Sequence, residues 1–75
     1  MNSELRNVYR EYLTLMDVAL KEYEDNRKSI TNRDWHALSL SCSKLAILAH
    51  KIAIVDEKLE KLKKEYCEDL FENND

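Results

Sequence analysis

The side chains able to do chemistry in this 75-residue sequence are two histidines, two cysteines and three serines at alternate positions. They are His36, His50, Cys42, Cys67, Ser39, Ser41 and Ser43. Their spacing works against a shared site. On one helix His36 and Cys42 lie six apart, about 240° round the axis. Cys42 and His50 are two turns apart, roughly 12 Å, too far to bind one ion. The three hydroxyls have no base placed to activate them. Carboxylates gather near the end, at Glu65, Glu68, Asp69, Glu72 and Asp75. They stand in a solvated, lysine-bearing segment, which does not raise a carboxyl pKa for acid catalysis. No catalytic, cofactor-binding or metal-ligating residue is expected, and therefore no enzyme, cofactor or small-molecule substrate.

Composition narrows the classes further. The sequence has no glycine and no proline, against about 5 and about 4 in an average chain of this length. That absence disfavours hairpin turns, removes the usual αL helix caps and excludes the Gly-rich loops of P-loop and Rossmann nucleotide sites. At 44% apolar and 36% charged the chain is too apolar for disorder. Its net charge of −3 supplies no general basic field, so nucleic acid is disfavoured as a partner. Met1–Arg6 has no apolar signal core. Lys44, His50 and Lys51 interrupt the best apolar run, so no membrane span is expected. On one continuous helix Cys42 and Cys67 stand roughly 37 Å apart, beyond the reach of a disulfide. Two reduced thiols point to the cytoplasm.

What could position such residues is a pair of helices. Ser3 suits an N-cap and Glu4 the first turn. Leu5, Val8, Tyr9, Tyr12, Leu15, Met16, Ala19 and Tyr23 then recur at helical spacing and predict one packed face. The break is announced only by Asn26–Arg33. Thr31 with Asp34 reads as a variant capping box, and Ile30 with Trp35 as a hydrophobic staple. The expected layout is a single helical-hairpin domain over 1–75, with helix 3–27, turn 28–31, helix 32–70 and a frayed acidic tail 71–75. A break near Asp56, giving three helices, is the competing layout. In the second helix Trp35, Cys42, Ala49, Asp56 and Lys63 alternate with Leu38, Leu45, Ile52, Leu59 and Tyr66 as an imperfect heptad seam. Trp35, Leu38, Leu45, Ile52 and Leu59 are expected to pack on the first helix. Within the tail, Glu57 with Lys61 and Glu60 with Lys64 have the favoured i,i+4 order.

The stretch LSLSCSKLAILAHKIAIV, Leu38 to Val55, carries more apolar surface than one neighbour covers. Small residues Ser39, Cys42, Ala46, Ala49 and Ala53 form a lane for a close-packed helix. Leu40, Ile47 and Ile54 recur every seven residues on a second face. The longer second helix should also overhang the first, leaving Leu62, Tyr66, Leu70 and Phe71 for a partner. The expected fold class is thus all-α: an antiparallel two-helix hairpin whose longer second helix completes a four-helix bundle or coiled coil with another chain. The expected interface residues are Leu40, Ile47, Ile54, Leu62, Tyr66, Leu70 and Phe71.

Three resemblances bear on function. Ala49-His50-Lys51-Ile52 is similar to histidine phosphotransfer domains in carrying a mid-helix histidine, but Ala53 and Ile54 stand where those domains place lysine and glycine. The length and hairpin layout resemble Rop-type plasmid regulators, acidic dimers of two-helix hairpins that bind RNA loops. Arg6, Arg10, Arg27, Lys28 and Arg33 would then form a basic rim, diluted by Glu11, Glu24 and Asp25. Size, charge and layout also resemble the small helical chaperones of bacterial export systems. The leading expectation is a non-enzymatic interaction module of chaperone, inhibitor or assembly-subunit type. It would bind itself, a helical protein segment, or both. A Rop-like RNA-binding dimer is the alternative.

Overall fold

The computed structural model describes residues 3–73, with side chains through Glu68. Two helices, α1 over Ser3–Thr31 and α2 over Trp35–Asn73, pack antiparallel as a hairpin. The Cα extents are 62 × 15 × 14 Å, a rod about four times longer than wide. α2 runs unbroken through Asp56, so the three-helix layout does not occur. The expected frayed tail begins too early, since helix continues to Asn73.

The turn is shorter than the sequence suggests, and lies later. α1 continues past Arg27 to Thr31, whose hydroxyl donates back to the Arg27 carbonyl at 3.0 Å rather than capping α2. The reversal is made at Arg33, with φ of 54°. The Arg33 amide donates to Ile30 O at 3.1 Å and the Asp34 amide to Ser29 O at 2.9 Å. Those two bonds are the Schellman pattern, with arginine in the αL position that glycine usually fills. Asp34 then caps the next helix. Its Oδ1 accepts the Ala37 amide at 3.1 Å and its carbonyl accepts the Leu38 amide at 3.0 Å. One residue therefore closes α1 and opens α2. With Asp34 as the cap, Ile30 and Trp35 are out of staple register, and both are exposed.

Both helices follow a heptad abcdefg. In α1 positions a and d are Leu5, Val8, Tyr12, Leu15, Ala19, Glu22, Asn26 and Ser29, each buried or half-buried. In α2 they are Leu38, Ser41, Leu45, Leu48, Ile52, Val55, Leu59, Leu62 and Tyr66, again all buried or half-buried. The expected seam was therefore half right. Leu38, Leu45, Ile52, Leu59 and Tyr66 face α1, but Cys42, Ala49, Asp56 and Lys63 lie one position too far round and are exposed. Ser41, Leu48, Val55 and Leu62 take their place. Charged Asp56 and Lys63 stay in water while Val55 and Leu62 leave it, the cheaper arrangement by desolvation. Trp35, Tyr9, Met16 and Tyr23, expected in the core, are likewise exposed.

By sequence spacing Leu62 belongs to a partner interface on the overhang. It is instead 7% exposed and joins Val8, Val55 and Leu59 in the core, with Leu5, Tyr12 and Leu15 against them. α1 simply reaches further along α2 than its expected length allowed. Tyr66 is half-buried. The side chains of Leu70 and Phe71 lie outside the described residues.

Two predictions test this account. Leu59→Ala should cost about 2–4 kcal/mol by chemical denaturation, because Leu59 is the most buried apolar residue of the cluster. Arg33→Gly should stabilise by up to about 1 kcal/mol by relieving a side chain in the αL region. Asp34→Ala should destabilise by about 1 kcal/mol, so the two neighbours shift the thermal midpoint in opposite directions.

Candidate interaction surface

The groups first considered for chemistry are dispersed. His36, His50, Cys42 and Cys67 are all exposed, and both cysteines are free thiols. The Asn26 side-chain amide lies 3.5 Å from the Cys42 sulfur, a long, soft contact across the two helices. Among the described residues no group of three or more His, Cys, Asp or Glu is placed to hold a metal. Ser41 is buried, and its hydroxyl donates to the Glu22 carbonyl at 3.3 Å; Ser43 donates to Ser39 O on its own helix at 3.1 Å. These hydroxyls satisfy backbone carbonyls, Ser41 on the facing helix and Ser43 on its own.

The charged side chains form short pairs along single helices. Lys21 sits 3.3 Å from Asp17, Arg27 2.8 Å from Glu24, and Lys63 3.5 Å from Glu60. Glu60 thus reaches Lys63, one residue short of the expected Lys64. The Arg27 hydrogen bond, and then its charge, hold the Glu24 carboxyl below its ordinary range and raise Arg27 in return. Both groups are exposed, so the pair shapes the surface more than it stabilises it.

What the fold leaves uncovered is apolar and ordered. Tyr9, Leu13, Met16, Leu20 and Tyr23 are between 38% and 64% exposed. They occupy heptad positions e and b of α1, a second seam beside the first. On α2 the same positions hold Ser39, Cys42, Ala46, Ala49 and Ala53, all exposed. In an antiparallel pair the two e flanks lie on one side, and here they do. Met16, Tyr23, Ala49 and Ala53 line a single groove of about 320 Å³ whose floor is Tyr12, Ala19, Leu45 and Ile52. A second depression on the same side runs between Tyr9, Leu5, Leu59 and Lys63. Large side chains stand along one wall of this face and small ones along the other.

The opposite side is different in kind. Leu40 joins Asp25, Lys28, Asp34 and Lys44 around a polar depression near the turn. Leu40, Ile47 and Ile54 are 52%, 57% and 54% exposed, at position c of α2 and away from α1. They form a narrow stripe, flanked at position g by Lys44, Lys51 and Lys58. The expected residues of the second face are therefore accessible together, in one line. The large-against-small face is not evident as a unit in the sequence, because the helical spacing of the tyrosines and Met16 matches that of core residues. Charged Asp56 and Lys63 were the signal that the seam ran through Val55 and Leu62, which turns Tyr9, Met16 and Tyr23 outward.

α2 also contains an 18-residue window of mean hydropathy 1.5, within Trp35–Glu68, long and apolar enough by composition to cross a membrane. This corrects the expectation that no run approaches a span. The Leu, Ile, Val and Ala content around Lys44, His50 and Lys51 outweighs those three interruptions. Comparison with protein-family models, curated proteins and solved structures finds no match to this chain, so its surface carries the functional reading.

A substitution on the stripe separates surface from core. Ile47→Glu should leave the far-ultraviolet helical signal intact and change stability by no more than about 0.5 kcal/mol. Loss of helicity would make Ile47 part of the hairpin's own core.

Proposed function

We propose that the protein is a non-enzymatic interaction module, acting in the cytoplasm, that binds by helix–helix packing. Its target is a second copy of itself, a helical segment of another protein, or each in turn. The observation that carries this reading is the ratio of covered to uncovered apolar residues. Five hydrophobic residues are buried among the described ones, while eleven large hydrophobic side chains are exposed. Scattered singly, exposed apolar residues need no explanation. Here eight of the eleven keep heptad register in two lines, Tyr9–Tyr23 on α1 and Leu40–Ile54 on α2, and only Val18, Ile30 and Trp35 stand outside them. A continuous patch of this kind marks an interaction site.

The physical logic is that of a small domain short of core. Chains of this size bury only about 60% of their unfolded surface and commonly recruit a partner. A helix apolar on more than one side is satisfied by more than one neighbour. Lipid is the weaker match for the same surface. Spanning a bilayer would place Lys44, His50 and Lys51 near its centre, at about 2.5–3.5 kcal/mol for each lysine, and would strip α2 of the partner that now covers Val55 and Leu59.

The reading is tested by sedimentation equilibrium from low micromolar to about 100 µM, together with affinity capture and identification of the co-purifying chain from the native host. Self-association, or a stoichiometric complex with a helical protein that Ile47→Glu or Ala49→Glu dissociates, supports it. A chain that stays monomeric and retains no protein partner overturns it.

A further inference from the structure

We infer that the large-against-small face is the interface of a homodimer, with α1 of each chain seated on α2 of the other. This rests on the interaction-module reading and names its occupant. The register within one hairpin is fixed by three contacts along its length. Val8 clusters with Leu59, Met16 shares a groove with Ala49, and Ser41 bonds to the Glu22 carbonyl. Moving up α1, the matching residue of α2 steps down at close to the same rate, which sets heights to within about one helical turn. Within that turn Leu13 lies beside Ala53, Met16 beside Ala49, and Leu20 beside Ala46.

A twofold axis along the rod keeps each residue at its own height. It lays α1 of one chain over α2 of the other, antiparallel. Leu13, Met16, Leu20 and Tyr23 then each meet a small side chain within a turn of their own height, on both halves of the interface, because an isologous contact repeats each pairing. The other facing arrangement, with the axis across the rod, sets tyrosine and leucine against each other and alanine against alanine. Its two helix pairs would need different separations, and the alanine side would be left with a gap.

Size and charge agree with a second copy. The 29 residues of α1 span about 43 Å, and two helices side by side are roughly 20 Å wide. The resulting face of roughly 850 Å² matches the ~800 Å² that one partner contributes to a standard stable interface. Along its outer rim at position f, Arg10 falls within a turn of Glu57 and Asp17 within a turn of His50, with no like charges opposed. At the end of the face Tyr9 lies within a turn of Asp56, whose carboxylate can accept from the phenol.

The test uses the full chain. Wild type should sediment as a dimer at micromolar concentration. Ala49→Glu should weaken the dimer at least about 100-fold by burying an unpaired charge while circular dichroism stays helical. Leu20→Glu, at a residue 64% exposed in the hairpin, should do the same. In a Cys42→Ser, Cys67→Ser background, a short bismaleimide should join a Leu20→Cys chain to an Ala46→Cys chain, and should not join two Leu20→Cys chains. A wild-type monomer at about 100 µM overturns the dimer but leaves the module reading standing if a helical partner is captured. A dimer that survives Ala49→Glu and falls apart with Ile47→Glu moves the interface to the opposite stripe. Cross-links between two Leu20→Cys chains overturn the α1-on-α2 pairing.

Discussion

Val8, Val55, Leu59 and Leu62 pack at the open end of the hairpin, where α1 begins. At the turn end the same seam is filled by Glu22, Asn26, Ser29 and Ser41. Between the helices it is held there by the Ser41 hydroxyl on Glu22 O and the soft contact of Asn26 with the Cys42 sulfur, while buried Ser29 bonds within α1 to Asp25 O. The apolar contribution therefore sits far from the turn, and the turn must hold itself. It does so through the Schellman pair at Arg33 and Asp34 and the Asp34 cap. A seam two residues wide, polar at one end, is what leaves so much apolar surface outside it.

The absence of glycine acts on this point. It disfavours strands and phosphate loops, as the composition implies, but it does not abolish the αL cap. Arg33 adopts that conformation at a cost of about 1–2 kcal/mol, recovered in part by two backbone bonds that satisfy the end of α1. The turn is legible from sequence only to within a few residues because Thr31, Asn32 and Asp34 are all capable caps. Which one serves depends on where the reversal falls, and only glycine would have marked that position in advance.

The hairpin itself, its antiparallel sense and half of the α2 seam are legible from periodicity. The other half is not, because α2 is apolar or small at five of seven heptad positions. Residues 41 and 42, 48 and 49, and 55 and 56 compete as neighbours for the same role, and Ser41 looks no more buried than Cys42. The phase is decided lower down, where Val55 and Leu62 oppose Asp56 and Lys63. Shifting half of the seam by one residue turns α2 by about 50°, which exposes the alanine lane instead of burying it. On α1 the same rotation moves Tyr9, Met16 and Tyr23 from core to rim. One misplaced phase thus hides the whole face.

That face also explains why the size classes are segregated by helix. Burial against α1 within one chain requires only that positions a and d be apolar. It places no demand on positions b and e, where leucine, lysine or glutamate would be equally tolerated. Yet α1 carries large residues there and α2 small ones, over the same four turns and at matched heights. Exposed alanine adds little to a hairpin's own core, and exposed tyrosine and leucine cost solubility. Together they make sense when a neighbour brings the complementary lane, and the neighbour that carries both lanes at the same spacing is another copy of the chain.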